Sequence, residues 1–114
     1  MKTFTTILIT VAMFVFLGAC TEEAPSVRVR NDLDSKINVQ LKPATGNTVN
    51  INDVEAGSTT APMNVEEGVW TASASVQSQP LKSTQTFKTD NDILYTIVLV
   101  NVESPVIQVL AEEK

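Results

Sequence analysis

The 114-residue chain contains no histidine and a single cysteine, Cys20. These two facts remove the commonest general base at neutral pH, the commonest transition-metal ligand and any intrachain disulfide. Carboxylate, hydroxyl and amine chemistry remain. Acidic pairs stand at Glu22-Glu23, Glu66-Glu67 and Glu112-Glu113. Acid/base cleavage of a glycosidic bond needs two carboxyl groups about 5 to 9.5 Å apart across a cleft, one of them buried enough to keep its proton. Adjacent glutamates in turns and tails are solvated and meet neither condition. Asp32-Leu33-Asp34 and Asp90-Asn91-Asp92 have the alternating oxygens of a calcium loop without its length or closing glutamate, and read as turns whose side chains bond their own backbone. Lys82-Ser83 sets an amine beside a hydroxyl with no orienting partner in the sequence. The sequence therefore predicts no catalytic residue, no metal site and no cofactor.

The neighbours of Cys20 give it another use. One positive charge, Lys2, precedes an apolar stretch from Phe4 to Ala19 that only Thr5, Thr6, Thr10 and Gly18 interrupt. The stretch is shorter than the ~20 residues of a membrane-spanning helix and ends in small residues, as a cleaved export signal does. Leu17-Gly18-Ala19-Cys20 resembles the lipobox of bacterial lipoproteins, in which small residues precede a cysteine that is diacylated before cleavage. The resemblance implies that residues 1–19 are a signal peptide, that Cys20 becomes a lipid-bearing N-terminus, and that residues 20–25 form a lipidated tether. One acyl chain holds a protein to a bilayer only marginally, so stable anchoring takes two or three. Thr21, where an aspartate would mark inner-membrane retention, implies the outer membrane, and the acidic Glu22-Glu23 resembles the signal of surface-exported lipoproteins.

Removing residues 1–19 leaves 95, enough for one compact domain with one core. Of eight basic residues only Lys2 is lost, and all 13 acidic residues stay, so the mature chain carries a formal charge of −6. That balance repels phosphate and excludes nucleic acid as a partner.

Beyond Pro25 the apolar period is two. Val27 and Val29 alternate with arginines; Ile37, Val39 and Leu41 alternate with Asn38, Gln40 and Lys42; Trp70, Ala72, Ala74 and Val76 alternate with Thr71, Ser73 and Ser75. Further strands are expected over residues 48–54, 59–65, 83–88, 93–101 and 106–110, the one over 59–65 at a sheet edge because Pro62 removes a ladder donor. Asn31, Asp32, Asp34 and Ser35 supply turn chemistry around a Leu33 plug, and Met63 is expected in the core. Residues 93–101, apolar on both faces, read as a central strand. The pattern predicts an all-β fold: a single antiparallel, immunoglobulin-like sandwich of seven to eight strands over residues 26–111, ending in a charged 112–114. Trp70 and Tyr95, the lone tryptophan and tyrosine, sit in apolar alternation and are expected in the core; as a sugar-stacking platform they would be the candidate ligand contacts. The row Thr71, Ser73, Ser75, Gln77 and Gln79 is a flat polar face suited to a partner sheet or a glycan.

The opening Val-Arg-Val, then Ile37-Asn-Val-Gln-Leu41, Val65-Glu-Glu-Gly68-Val-Trp-Thr-Ala72 and Asp92-Ile-Leu-Tyr95-Thr-Ile-Val-Leu-Val100 resemble the domain-of-unknown-function family DUF4397 across most of residues 26–110. Where that family carries a His-Ala-Ser-Pro-like stretch, this chain has Asn31-Asp-Leu-Asp34. The resemblance implies a small extracytoplasmic sandwich and no catalytic residues. The expected function is a non-catalytic structural or protein-interaction module of the cell envelope, held to the membrane by covalent lipid. The alternative is a carbohydrate-binding accessory lipoprotein in glycan uptake or adhesion.

Overall fold

The computed structural model describes residues 22–76, 79–81, 83–101 and 105–114. Strands account for its regular structure: β1 (Ser26–Asn31), β2 (Ile37–Pro43), β3 (Val49–Val54), β4 (Met63–Asn64), β5 (Gly68–Val76), β6 (Gln79–Pro80), β7 (Gln85–Thr89), β8 (Ile93–Asn101) and β9 (Pro105–Glu113). Seven of these run five residues or more, and the described residues contain no helix.

Two sheets face one another. One has the order β4-β1-β8-β9 and the other β3-β2-β5, with β7 and then β6 lying in turn along the far edge of β5. All pairings are antiparallel except β1 with β8, which run parallel from Ser26↔Leu94 to Asn31↔Leu99. The period-two pattern decides which side chains meet between the sheets. Val27, Val29, Tyr95, Ile97, Leu99 and Ile107 come from one sheet and Ile37, Val39, Leu41, Trp70, Ala72 and Ala74 from the other, all buried in one cluster. Burying each of the larger of these side chains is worth roughly 1.5–3 kcal/mol. Phe87 reaches from β7 to Tyr95 on the opposite sheet, ring centroids 5.7 Å apart and tilted by 42°. Leu33 plugs the end of the core as the sequence suggests.

Other local expectations shift. Residues 59–65 do not form a full strand: only Met63 and Asn64 pair with β1, and a single bridge joins Thr59 to Arg30. The remainder of the β1 edge is satisfied by the loop, through Asn31 N–H to the Ser58 carbonyl (2.9 Å), Thr60 N–H to the Val29 carbonyl (2.8 Å) and Val29 N–H to Thr60 Oγ1 (2.9 Å). A hydroxyl thus does what a ladder would have done next to Pro62, and Met63 stays exposed at the edge rather than in the core. Gln79 and Pro80 form a short strand outside those the sequence suggests, and β9 extends to Glu113, opposite Ile93. The charged end is therefore part of the sheet. In β3 the register slips between Ile37↔Val54 and Val39↔Ile51; Asp53, at φ +57°, occupies the bulge, and its N–H donates to Asn38 Oδ1 (2.8 Å).

Gly68 opens β5 at φ +142°, a backbone region that side chains disfavour, and no atom lies within 4 Å of where a Cβ would stand. Gly68→Ala should therefore act through the backbone alone. A loss of about 1–2 kcal/mol in urea unfolding is expected, with the folded-state spectrum unchanged.

Candidate functional site

The strands define two ends of the sandwich. At one end lie the starts of β1, β5 and β8, the ends of β2, β4, β7 and β9, and the connecting segments 44–48, 65–67 and 90–92. At the other lie segments 32–36 and 55–60. Cys20, the residue to which the sequence gives the most specific chemistry, and the expected signal segment 1–19 lie outside the described residues, as does Thr21.

Residues 22–25 are packed, not loose. Glu23 N–H donates to Asp92 Oδ1 (2.8 Å) and Asp92 N–H returns a bond to the Glu23 carbonyl (2.9 Å). Asn91 Nδ2 donates to Glu22 Oε2 (2.8 Å), and Lys114 Nζ donates to the Ala24 carbonyl while lying 3.6 Å from the Glu23 carboxylate. Pro25 is fully buried, and its carbonyl accepts from Val65 N–H (2.9 Å). Asp92 makes the exchange possible by taking φ +64°, a conformation that Asp tolerates better than most residues. The part of the expected tether over 22–25 is therefore bonded into the folded body.

Trp70 and Tyr95 are each 5% exposed. Trp70 Nε1 donates to the Glu66 carbonyl (3.0 Å), an acceptor it shares with Thr89 Oγ1 (2.8 Å), so both side chains pin the 66–68 turn. Tyr95 Oη accepts from Asp90 N–H (2.8 Å), tying the start of β8 to the turn that precedes it, much as a tyrosine corner does in immunoglobulin-like sandwiches. Neither ring offers a free face for a sugar to stack on. The two are core residues, and the platform suggested by residue type alone is not assembled. Tyr95→Phe should keep the packing and orphan the Asp90 amide, costing about 1–2 kcal/mol by thermal or urea unfolding.

Three of the aspartates that spacing singled out are engaged in local structure. Arg30 holds Asp32 through a two-pronged contact at 3.1–3.2 Å, Lys88 lies 3.7 Å from Asp90, and Asp92 caps Glu23. Among the described residues no three acidic side chains converge in a way that would hold a metal ion. Lys82 lies outside the described residues, and Ser83 Oγ accepts from Ile107 N–H (3.2 Å) on β9.

Two surfaces remain. On the outer face of β3-β2-β5 a row of uncharged amides and hydroxyls, Asn50, Asn52, Asn38, Gln40, Ser73 and Ser75, surrounds a shallow hollow of about 280 Å³, with Lys42 exposed farther along β2; Gln40 Nε2 and Asn50 Oδ1 join across the hollow at 3.3 Å. The sequence marked only the Ser73 and Ser75 part of this face. Its asparagines come from β2 and β3, and only the register places them alongside β5. Gln77 of the expected row lies outside the described residues. The second surface is an open groove of about 430 Å³ at the N-terminal end, between segments 43–49 and 64–70, with Asn47, Asn64, Glu66 and Glu67 on its walls.

These features define the chain as an all-β sandwich domain. No protein-family model matches it, and no curated protein matches it.

Proposed function

We propose that this protein is a lipid-anchored module of the bacterial cell envelope that acts by binding, without catalysis, as a structural or protein-interaction element. The observation that carries the reading is Leu17-Gly18-Ala19-Cys20 at the end of an uncharged apolar segment, with the chain's one cysteine at the position that would be acylated. The resemblance to the extracytoplasmic DUF4397 sandwiches supports the same placement, and Thr21 favours the outer membrane. The partner-facing surface is the amide and hydroxyl row on the outer face of β3-β2-β5, where Asn38, Gln40, Asn50, Asn52, Ser73 and Ser75 offer donors and acceptors that carry no charge to desolvate. The same neutral chemistry suits the hydroxyls of a glycan, which keeps carbohydrate binding as the second reading, now on this face rather than on Trp70 and Tyr95.

Cys20→Ser tests the anchor. Membrane-fraction immunoblotting should find the native protein wholly in detergent-soluble membranes and the variant wholly in the soluble fraction or retained as uncleaved precursor. A variant of mature mass that stays in the membrane fraction would end the lipoprotein reading. A pull-down and a glycan array, each with Gln40→Ala/Ser73→Ala beside the native chain, separate a protein partner from a sugar.

A further inference from the structure

The segment Glu22–Pro25 is bonded into the sandwich, and this bears on how a lipidated chain would sit. Successive Cα atoms are 3.8 Å apart, so the Cα of residue 20 lies within about 7.6 Å of the Cα of Glu22 whatever conformation residue 21 takes. Glu22 and Glu23 are fixed by Asn91, Asp92 and Lys114 to the end of the sandwich where β8 starts and β9 finishes. β8 spans nine residues, so the opposite end stands roughly 30 Å away. A free tether would let the domain tumble over the bilayer; a strapped one does not.

We infer that the domain stands end-on against the membrane, with the 44–48 and 65–67 segments turned to the lipid head groups and the 32–36 and 55–60 segments turned away. The inference rests on the lipid-anchor reading and adds the orientation that the strap imposes. It makes the head-group layer itself the partner of the end carrying Thr45 and Glu67, and it presents the amide face sideways, parallel to the membrane normal. A protein docking on that face must itself rise from, or lie along, the same membrane.

The test uses the acylated full-length product in phosphatidylcholine vesicles, a zwitterionic surface chosen because Glu22, Glu23, Glu66 and Glu67 would be repelled by an anionic one. With the native thiol consumed as a thioether, single spin labels are placed at Thr45→Cys, Glu67→Cys and Asp34→Cys, all exposed positions. A nickel-chelating head group then reports proximity by enhanced relaxation. Strong enhancement at 45 and 67 with none at 34 is expected, and a flexible Gly/Ser insertion between Thr21 and Glu22 should level the three. Equal enhancement at all three sites without the insertion, or a stronger effect at 34, overturns the orientation. Intact mass and hydrogen exchange separate the causes of failure. An unmodified Cys20 ends the lipoprotein reading and this inference together. An acylated Cys20 with a rapidly exchanging Glu23 amide leaves the anchor standing and removes the strap alone.

Discussion

Asn31→Ala should lower the stability of the sandwich domain by about 3 kcal/mol, which for a domain of this size moves the thermal midpoint by roughly 12–24 °C. Asn31 is completely buried. Its Nδ2 donates to the carbonyls of Ser35 (2.8 Å) and Val54 (3.0 Å), and its Oδ1 accepts from Leu33 N–H (2.9 Å). One side chain therefore closes the β1–β2 turn, seats the Leu33 plug and joins it to the end of β3 on the other sheet. Truncation orphans one buried N–H and two carbonyls, at about 1–3 kcal/mol each, less whatever water entering the vacated space recovers. Asn31→Asp gives a sharper comparison. It keeps the acceptor for Leu33 but sets a carboxylate against two carbonyl oxygens, so it should be no more stable than the alanine variant. Urea unfolding followed by far-ultraviolet circular dichroism decides the point; a loss below about 1 kcal/mol for Asn31→Ala would show that the three bonds contribute little net stability.

Trp70→Ala should cost more, about 3–5 kcal/mol, because it removes the largest side chain of the core and leaves a cavity opposite Pro43 that the surrounding sheet can only partly close. A typical domain has only about 5–15 kcal/mol in reserve. Trp70→Phe separates packing from hydrogen bonding. It retains an aromatic ring while deleting the Nε1 bond to the Glu66 carbonyl, and since Thr89 Oγ1 still donates to that oxygen, a loss of about 1 kcal/mol is expected from the missing bond. Because Trp70 is the only tryptophan, circular dichroism rather than fluorescence must follow these variants. A Trp70→Ala protein as stable as the parent would contradict the burial of the ring.

Much of the fold was legible because a half-buried strand writes its orientation into the sequence every second residue. Trp70, Ala72 and Ala74 point inward and Thr71, Ser73 and Ser75 outward, as their alternation requires. Pro62 marked an edge for a reason that holds in the structure: it cannot donate to a ladder, and beside it the chain pairs with β1 only at Met63 and Asn64 and at the single Thr59–Arg30 bridge. Asn31 was legible as a turn former but not as a hub, since nothing local says that a turn will be roofed over by the Val54 and Ser35 carbonyls. Trp70 and Tyr95 illustrate the same limit. Their types fit a binding platform and a core equally well, and only burial by the opposite sheet chooses.

What the sequence determined by itself is local and covalent: the uncharged apolar segment 4–19 and Cys20 as features of composition and order, the absence of histidine chemistry, the acidic balance, and the period-two strands. Each of these is fixed by neighbours within a few residues. The tertiary structure decided everything that depends on pairs distant along the chain. It brought β1 alongside β8 in parallel, set Asn38, Gln40 and Asn50 beside Ser73, and bound Glu22 and Glu23 to Asn91, Asp92 and Lys114. The residues after Cys20 read as a spacer because a short polar run has no pattern of its own. They became a strap because the 90–92 turn and the end of β9, 69 and more residues away, supply the partners for their backbone.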